Sequence, residues 1–212
     1  MAGAEIPCLI ANVMRGGPGL GTIQPGQADY FQAVKGGGHG DYRLIVLAPS
    51  TVQEMADFVD LGFELAFKYR NPVMILSDGA IGQMMEKVSL PDQKKRLTNE
   101  EVIENYGEWA TTGKPKTRSR NIITSLNLVP EKQEKYNQHL QNKYKTIEEN
   151  EIRFEESQCE DAEYIIVAFG SSARISQKVV QMGREKGYKI GLIRPSHYGH
   201  SQNRQLPNML IK

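Results

Sequence analysis

The sequence predicts an α/β fold: parallel sheets with flanking helices. Three features carry that expectation. Short apolar runs rich in β-branched residues end at glycine or proline, a segment with helical apolar spacing lies between two of them, and the same strand, helix, strand order returns near the end of the chain.

Ile6 to Val13 (IPCLIANV) reads as a first buried strand stopped by glycines, and Arg43 to Ala48 (RLIVLA), closed by Pro49, as a second. From Ser50 the pattern changes. Val52, Met55, Ala56, Val59, Phe63, Ala66 and Phe67 recur at steps of three and four through Tyr69, the signature of an amphipathic helix. Ser50 and Gln53 form an S-x-x-Q capping box at its start, and Asn71-Pro72 marks its end. Pro72 to Leu76 (PVMIL) is a third strand, so a βαβ unit with short links is complete, and such a unit implies a parallel sheet.

Between Pro91 and Asp161 the composition shifts to Lys, Glu, Gln and Asn, which marks a domain boundary. Within it, Tyr136, Leu140, Tyr144, Ile147 and Ile152 stand near helical spacing in the stretch from Glu131 to Gln158, predicting a largely solvated connecting helix. Ala162 to Phe169 restarts a buried strand and Gly170-Ser171-Ser172 makes a turn. Ile175, Val179, Val180 and Met182 line a helix ending near Gly187, and Lys189 to Ile193 closes a second βαβ unit. The two units differ in sequence, so no internal repeat is present. The expected divisions are 1–90, a charged, partly helical linker at 91–160, 161–195, and a tail at 196–212.

Composition narrows the function. With 39% apolar and 24% charged residues the chain is an ordinary globular one, and a formal net charge of +1 gives no field to draw it to nucleic acid or an anionic membrane. No apolar run approaches the roughly 20 residues that span a bilayer, and the start lacks a signal-peptide pattern. Cys8 and Cys159 form neither a metal cluster nor a disulfide framework, which fits a reducing compartment, the cytoplasm.

The stretch NVMRGGPGLGTIQPGQADYF, Asn12 to Phe31, places five glycines after the first strand. It is not a dinucleotide fingerprint: Gly17-Pro18-Gly19-Leu20-Gly21 has the wrong spacing, Pro18 lacks an amide donor, and no helix opens next. A Walker loop is excluded because the chain holds no Gly-Lys-Ser or Gly-Lys-Thr. What remains is Arg15, directly after a strand, at the carboxyl edge of a parallel sheet where open α/β folds place ligands. Its guanidinium either grips a carboxylate bidentately or satisfies loop carbonyls and acids of its own surroundings. His39 and Asp41, in the second glycine cluster from Gly36 to Gly40, read either as a hydrogen-bonded loop pair or as a catalytic one. Met84-Met85-Glu86 suits core packing or a partner surface.

The stretch AGAEIPCLIANVMRGGPGLGTIQPGQADYFQAVKGGGHGDYRLIVLAPSTVQEMADF, with NPVMILSDGAIGQMMEKVSLP and EYIIVAFGSSARISQKVV in the same order, closely resembles the α subunit of 2-oxoacid:ferredoxin oxidoreductases, especially the 2-oxoisovalerate (3-methyl-2-oxobutanoate) type. The resemblance implies that 1–90 is the later part of a thiamine diphosphate-binding pyrimidine domain and 161–195 the start of a transketolase-C-like domain. It implies oxidative decarboxylation of a 2-oxoacid, with thiamine diphosphate shared with a β subunit, magnesium and iron–sulfur clusters on partner subunits, a ferredoxin-like subunit, ferredoxin as acceptor and coenzyme A as co-substrate. The resemblance then implies Arg15 as a substrate-carboxylate contact, Asn12 as a second substrate-binding residue, and Gly16, Gly17 and Gly19 as cofactor-binding residues that let the loop approach cofactor and partner. The 2-oxoglutarate enzyme is the nearest alternative, and a non-catalytic α/β interaction domain the more distant one.

The sequence departs from that family in two places. The resemblance implies a preceding half of the pyrimidine domain, with the glutamate that activates the cofactor ring, ahead of Ala2; no glutamate here takes that role, so this chain alone is expected to be inactive. After Pro195 the apolar pattern collapses into SHYGHSQNRQLPNMLIK. Back-translated with one extra base, that tail can be re-read as ITLWPFPKQAIAEYADK, which resembles the family continuation. A single-base loss at that point is expected, with Ser196 to Lys212 poorly packed and His197 and His200 without chemistry.

Overall fold

The computed structural model describes residues 1–198. After a short 3-10 turn at Ala2–Ala4, the elements are β1 (Cys8–Met14), α1 (Tyr30–Lys35), β2 (Ile45–Leu47), α2 (Val52–Tyr69), β3 (Pro72–Asp78), α3 (Gly79–Gln83), α4 (Asn99–Tyr106), α5 (Pro130–Asn150), β4 (Phe154–Ser157), β5 (Tyr164–Val167), α6 (Gly170–Glu185), β6 (Ile190–Pro195) and β7 (His197–Tyr198). One sheet has the order β1-β3-β2-β7 and the other β4-β6-β5. Both expected βαβ units are present, since β2 and β5 pair parallel to β3 and β6 respectively. The antiparallel edges β7 and β4 were not expected.

The first sheet is packed on two faces. Against α2 and α5 it buries Ile45, Leu47, Val73 and Ile75 with Phe58, Leu65, Ala66, Leu140, Tyr144 and Ile147. Toward α1 it buries Met14, Val46, Ala48 and Leu76 with Ala33 and Val34. Burial on both faces explains the unbroken apolar runs of β2 and β3, whereas β1 and β5, also expected as buried strands, lie at sheet edges and leave Ala11, Val13, Tyr164 and Val167 exposed.

Two expectations are corrected. Helix α2 starts one residue later than the Ser50–Gln53 box: the extended residue is Thr51, whose Oγ1 accepts the Glu54 amide at 3.1 Å. Gln53 instead exchanges two 2.9 Å hydrogen bonds with the backbone of Ser89. The buried face of α2 also runs through Phe58, Gly62, Leu65 and Ala66, while Val59, Phe63 and Phe67 remain partly exposed. The helix is apolar on two sides, and Phe67 stacks with Tyr106 of α4 and with Trp109. Helix α5 is largely solvated, as expected, and is seated by the apolar line read in the sequence. Leu140, Tyr144 and Ile147 enter the main core, and the two aliphatic side chains each contribute about 1.5–3 kcal/mol of burial.

Buried charge ties the parts together. Arg194 on β6 reaches back to α2, where its Nη2 lies 2.6 Å from Glu54 Oε1, and its Nε donates to Glu155 on β4 at 3.1 Å. Burial opposes its charge, but the two carboxylates overcome this and raise its pKa. Glu151, past the end of α5, accepts from Lys68 and Tyr69 at 2.7 Å and from Arg153 at 3.0 Å. Its burial favours the neutral acid, yet those donors prevail and hold the carboxyl below its ordinary range.

The start of the tail departs from the expectation of poor packing. Ser196 O accepts the Ala48 amide at 2.8 Å, His197 and Tyr198 pair with Leu47 and Val46, and the His197 ring is buried against the Glu151 carbonyl. Strand pairing is a main-chain interaction, so an open edge on β2 can take up a short segment whatever its side chains. His200 and the remainder of 199–212 lie outside the described residues.

Candidate functional site

Parallel pairing of β1 with β3 runs from Cys8 opposite Pro72 to Met14 opposite Asp78, so both strands end at one level. Arg15 is the next residue, at the carboxyl edge expected from the sequence. The chain then leaves and returns as a closed loop. Arg15 bridges Pro25 in antiparallel fashion, the Gly16 amide donates to Gln24 O at 2.9 Å, and Thr22 N donates to Gly16 O at 2.8 Å. The Arg15 side chain is exposed, and no ion pair engages it among the described residues. A guanidinium, weakly hydrated for a cation and left without an ion pair at a strand end, is available to an incoming carboxylate.

The other predicted contacts are placed differently. Asn12 is half-buried within β1, and its Nδ2 donates to Asp29 Oδ2 at 3.1 Å, which commits it to the α1 side instead of to Arg15. Gly16 takes part in closing the loop, whereas Gly17 and Gly19 lie on its exposed excursion. The glycine that the closure depends on is Gly21. Its φ is +57° and a Cβ there would stand 2.0 Å from the Gly16 carbonyl oxygen. His39 and Asp41 line an open groove of about 1180 Å³ with Ile10, Asn12, Met74 and Tyr136, and no hydrogen bond joins the two. Met85 is solvent-exposed, while Glu86 pairs with Arg174 of α6.

Two side chains beneath the loop were missed in the sequence. Asp78 ends β3 almost fully buried. Its Oδ1 accepts Ala80 N and Ile81 N at 3.0 and 3.2 Å, capping α3, and its Oδ2 accepts Ser171 N at 3.0 Å, at the start of α6. Gln27 donates from Nε2 to Phe169 O and accepts the Ser172 hydroxyl, both at 2.8 Å. An aspartate between a strand and Gly79 is readable as a helix cap. Its second partner, far along the chain, is not.

No group of three or more His, Cys, Asp or Glu side chains among the described residues converges to hold a metal. The loop after β1 also opens no helix onto a phosphate. Among the described residues no donor set fits a magnesium-bound diphosphate or an iron–sulfur cluster.

These features define an α/β chain with an exposed guanidinium at a strand end and a second βαβ unit docked beside it. The chain belongs to the pyruvate flavodoxin/ferredoxin oxidoreductase family: residues 1–158 match "Pyruvate flavodoxin/ferredoxin oxidoreductase, thiamine diP-bdg" and residues 162–199 match "Pyruvate:ferredoxin oxidoreductase core domain II". Among its relatives, the ketoisovalerate oxidoreductase subunit VorB of Methanothermobacter marburgensis is 50% identical over 197 residues, covering 92% of this chain and 53% of that protein. The 2-oxoglutarate synthase subunit KorA of Methanocaldococcus jannaschii is 34% identical, covering 90% and 56%. A solved 2-oxoglutarate:ferredoxin oxidoreductase from Magnetococcus marinus, with 2-oxoglutarate, coenzyme A and succinyl-CoA bound, superposes with a TM-score of 0.69 at 27% identity, covering 92% of this chain and 38% of that one. The chain spans about half the length of the curated relatives it matches. No helix among the described residues is long and apolar enough to cross a membrane.

Proposed function

We propose that this chain serves as part of the α subunit of a thiamine diphosphate-dependent 2-oxoacid:ferredoxin oxidoreductase acting on branched-chain 2-oxoacids. The bond between the carbonyl carbon and the carboxylate breaks to release carbon dioxide. The acyl carbon joins the sulfur of coenzyme A, the thiol proton is released, and two electrons pass to two ferredoxins. Thiamine diphosphate, shared with a β subunit, supplies the electron sink for that chemistry. Magnesium and the iron–sulfur clusters belong to partner subunits, one of them ferredoxin-like, and the assembly works in the cytoplasm.

The observation that carries this reading is the exposed, unpaired Arg15 at the end of β1. Its role is to hold the substrate carboxylate, so that the adjacent carbonyl is presented in a fixed orientation. Asn12, through Asp29, steadies the strand and the start of α1, while Gly16, Gly17 and Gly19 let the loop approach cofactor and partner. The loop itself supports that substrate class. From Gly16 to Ala28 it carries no charged side chain but presents Leu20 and Ile23 to solvent, which suits an aliphatic tail and offers no second cation to the distal carboxylate of 2-oxoglutarate. The greater identity to the ketoisovalerate subunit points the same way.

In the assembled enzyme, Arg15→Ala is expected to raise the KM for 2-oxoisovalerate roughly 10- to 150-fold, the equivalent of a charge-assisted hydrogen bond worth about 1.5–3 kcal/mol. An unchanged KM removes the carboxylate role. A panel in which 2-oxoglutarate turns over better than 2-oxoisovalerate removes the branched-chain assignment.

A further inference from the structure

The loop that carries Arg15 is not held by the first unit alone. Pro25, Gly26 and Gln27 form a strap across the Arg15 backbone. Pro25 bridges Arg15, and Gly26 packs so closely that a Cβ there would lie 3.1 Å from the Arg15 carbonyl carbon. The far end of the strap is fastened to the second unit. Gln27 Nε2 donates to Phe169 O and Gln27 Oε1 accepts from Ser172 Oγ, each at 2.8 Å. Because a carbonyl can only accept, the Phe169 oxygen sets which end of the amide faces it, and the hydroxyl must then serve the other end. Asp78, opposite Met14 in the sheet, braces the same turn through Ser171 N. The turn can approach this closely because residue 170 is glycine: its φ is +57°, and a Cβ would stand 2.8 Å from Gln27 Nε2 and 3.0 Å from Asp78 Oδ2.

We propose that Gln27 is a positioning residue for Arg15, through which the turn Phe169 to Ser172 of the second unit sets the grip on the 2-oxoacid carboxylate. The inference rests on the carboxylate role proposed for Arg15. It joins residues separated by 142 and 145 positions in the chain, so the strap couples the seating of the second unit to affinity for substrate. Asp78 has an independent capping duty on α3, whereas both ends of the Gln27 amide are spent on the second unit, which makes Gln27 the cleaner probe.

The test is a double-mutant cycle in the assembled enzyme, reading KM and kcat with 2-oxoisovalerate. Gln27→Ala is expected to raise KM roughly 3- to 12-fold, the range for losing hydrogen bonds of ordinary strength, and to leave kcat within about twofold. In an Arg15→Ala background the same substitution should leave KM unchanged, because the group it positions is gone. Ser172→Ala deletes one bond of the clamp, so it should move KM in the same direction by less, and it replaces Gln27→Ala in the cycle if that variant does not assemble. The proposal is overturned if KM stays put on removing the clamp while Arg15→Ala raises it, or if the clamp's effect persists undiminished without Arg15. Should Arg15→Ala itself leave KM unaltered, the carboxylate role fails first and this inference with it.

Discussion

Replacing Arg194 by methionine removes a guanidinium that is 6% exposed and faces Glu54 and Glu155, which are 22% and 61% exposed. Deleting one partner of a buried pair costs about 3–5 kcal/mol, because the surviving charge stays desolvated. Glu155 can turn to water. Glu54 keeps the Ser50 amide at 2.7 Å and the Ser50 hydroxyl at 3.1 Å, so its carboxylate is not orphaned. Both facts place the loss at the lower end, about 3 kcal/mol. For a chain of this size each kcal/mol moves the melting midpoint by about 2–4 °C, so a fall of about 6–12 °C is expected. Glu155→Gln weakens only the exposed arm and should cost about 0–1 kcal/mol. Thermal unfolding followed by far-ultraviolet circular dichroism compares the two directly. A methionine variant that melts within about 2 °C of the parent, or a Glu155→Gln variant that loses as much as it does, would refute the burial argument.

Glu151 predicts an acid limb. Its folded pKa lies below the unfolded value, so the stability it contributes is present above the ordinary carboxylate pKa of about 4.3 and disappears as pH falls through the lowered folded value. Glu151→Gln should therefore flatten the fall of stability below about pH 4.3, and identical acid limbs in urea titrations would contradict the assignment. The sole tryptophan, Trp109, packs under Arg70 at 4.7 Å and beside Phe67 and Tyr106 at 6.4 and 5.9 Å. Phe67→Ala should shift its fluorescence to longer wavelength and cost about 1–2 kcal/mol, less than the 3–5 of a fully buried ring; unaltered emission would show that α4 is not seated on α2.

The two βαβ units were legible because strand and helix periods are local properties, and a buried parallel strand announces itself by apolar residues without alternation. Boundaries shifted by a residue or two, as with Thr51 taking the cap expected at Ser50. A choice between adjacent hydroxyl residues depends on which one is extended when the helix docks. The apolar face of α2 was misjudged for a related reason. Two packing partners sit on different sides of one helix, and a periodic pattern cannot say which side meets the sheet and which meets α4.

By itself the sequence determined the α/β class, the order of the paired units, the placement of Arg15 at a strand end, and the absence of a Walker loop and a dinucleotide fingerprint, all of which depend on neighbouring residues and backbone sterics. Only the tertiary structure decided that the apolar line of α5 meets the first sheet, that His197 is buried beside Glu151, and that Gln27 and Asp78 meet the start of α6. Those contacts join segments that approach one another only after the sheets have packed. A hydrogen bond or a buried charge acquires its partner from that docking, and no period in the chain encodes which partner it will be.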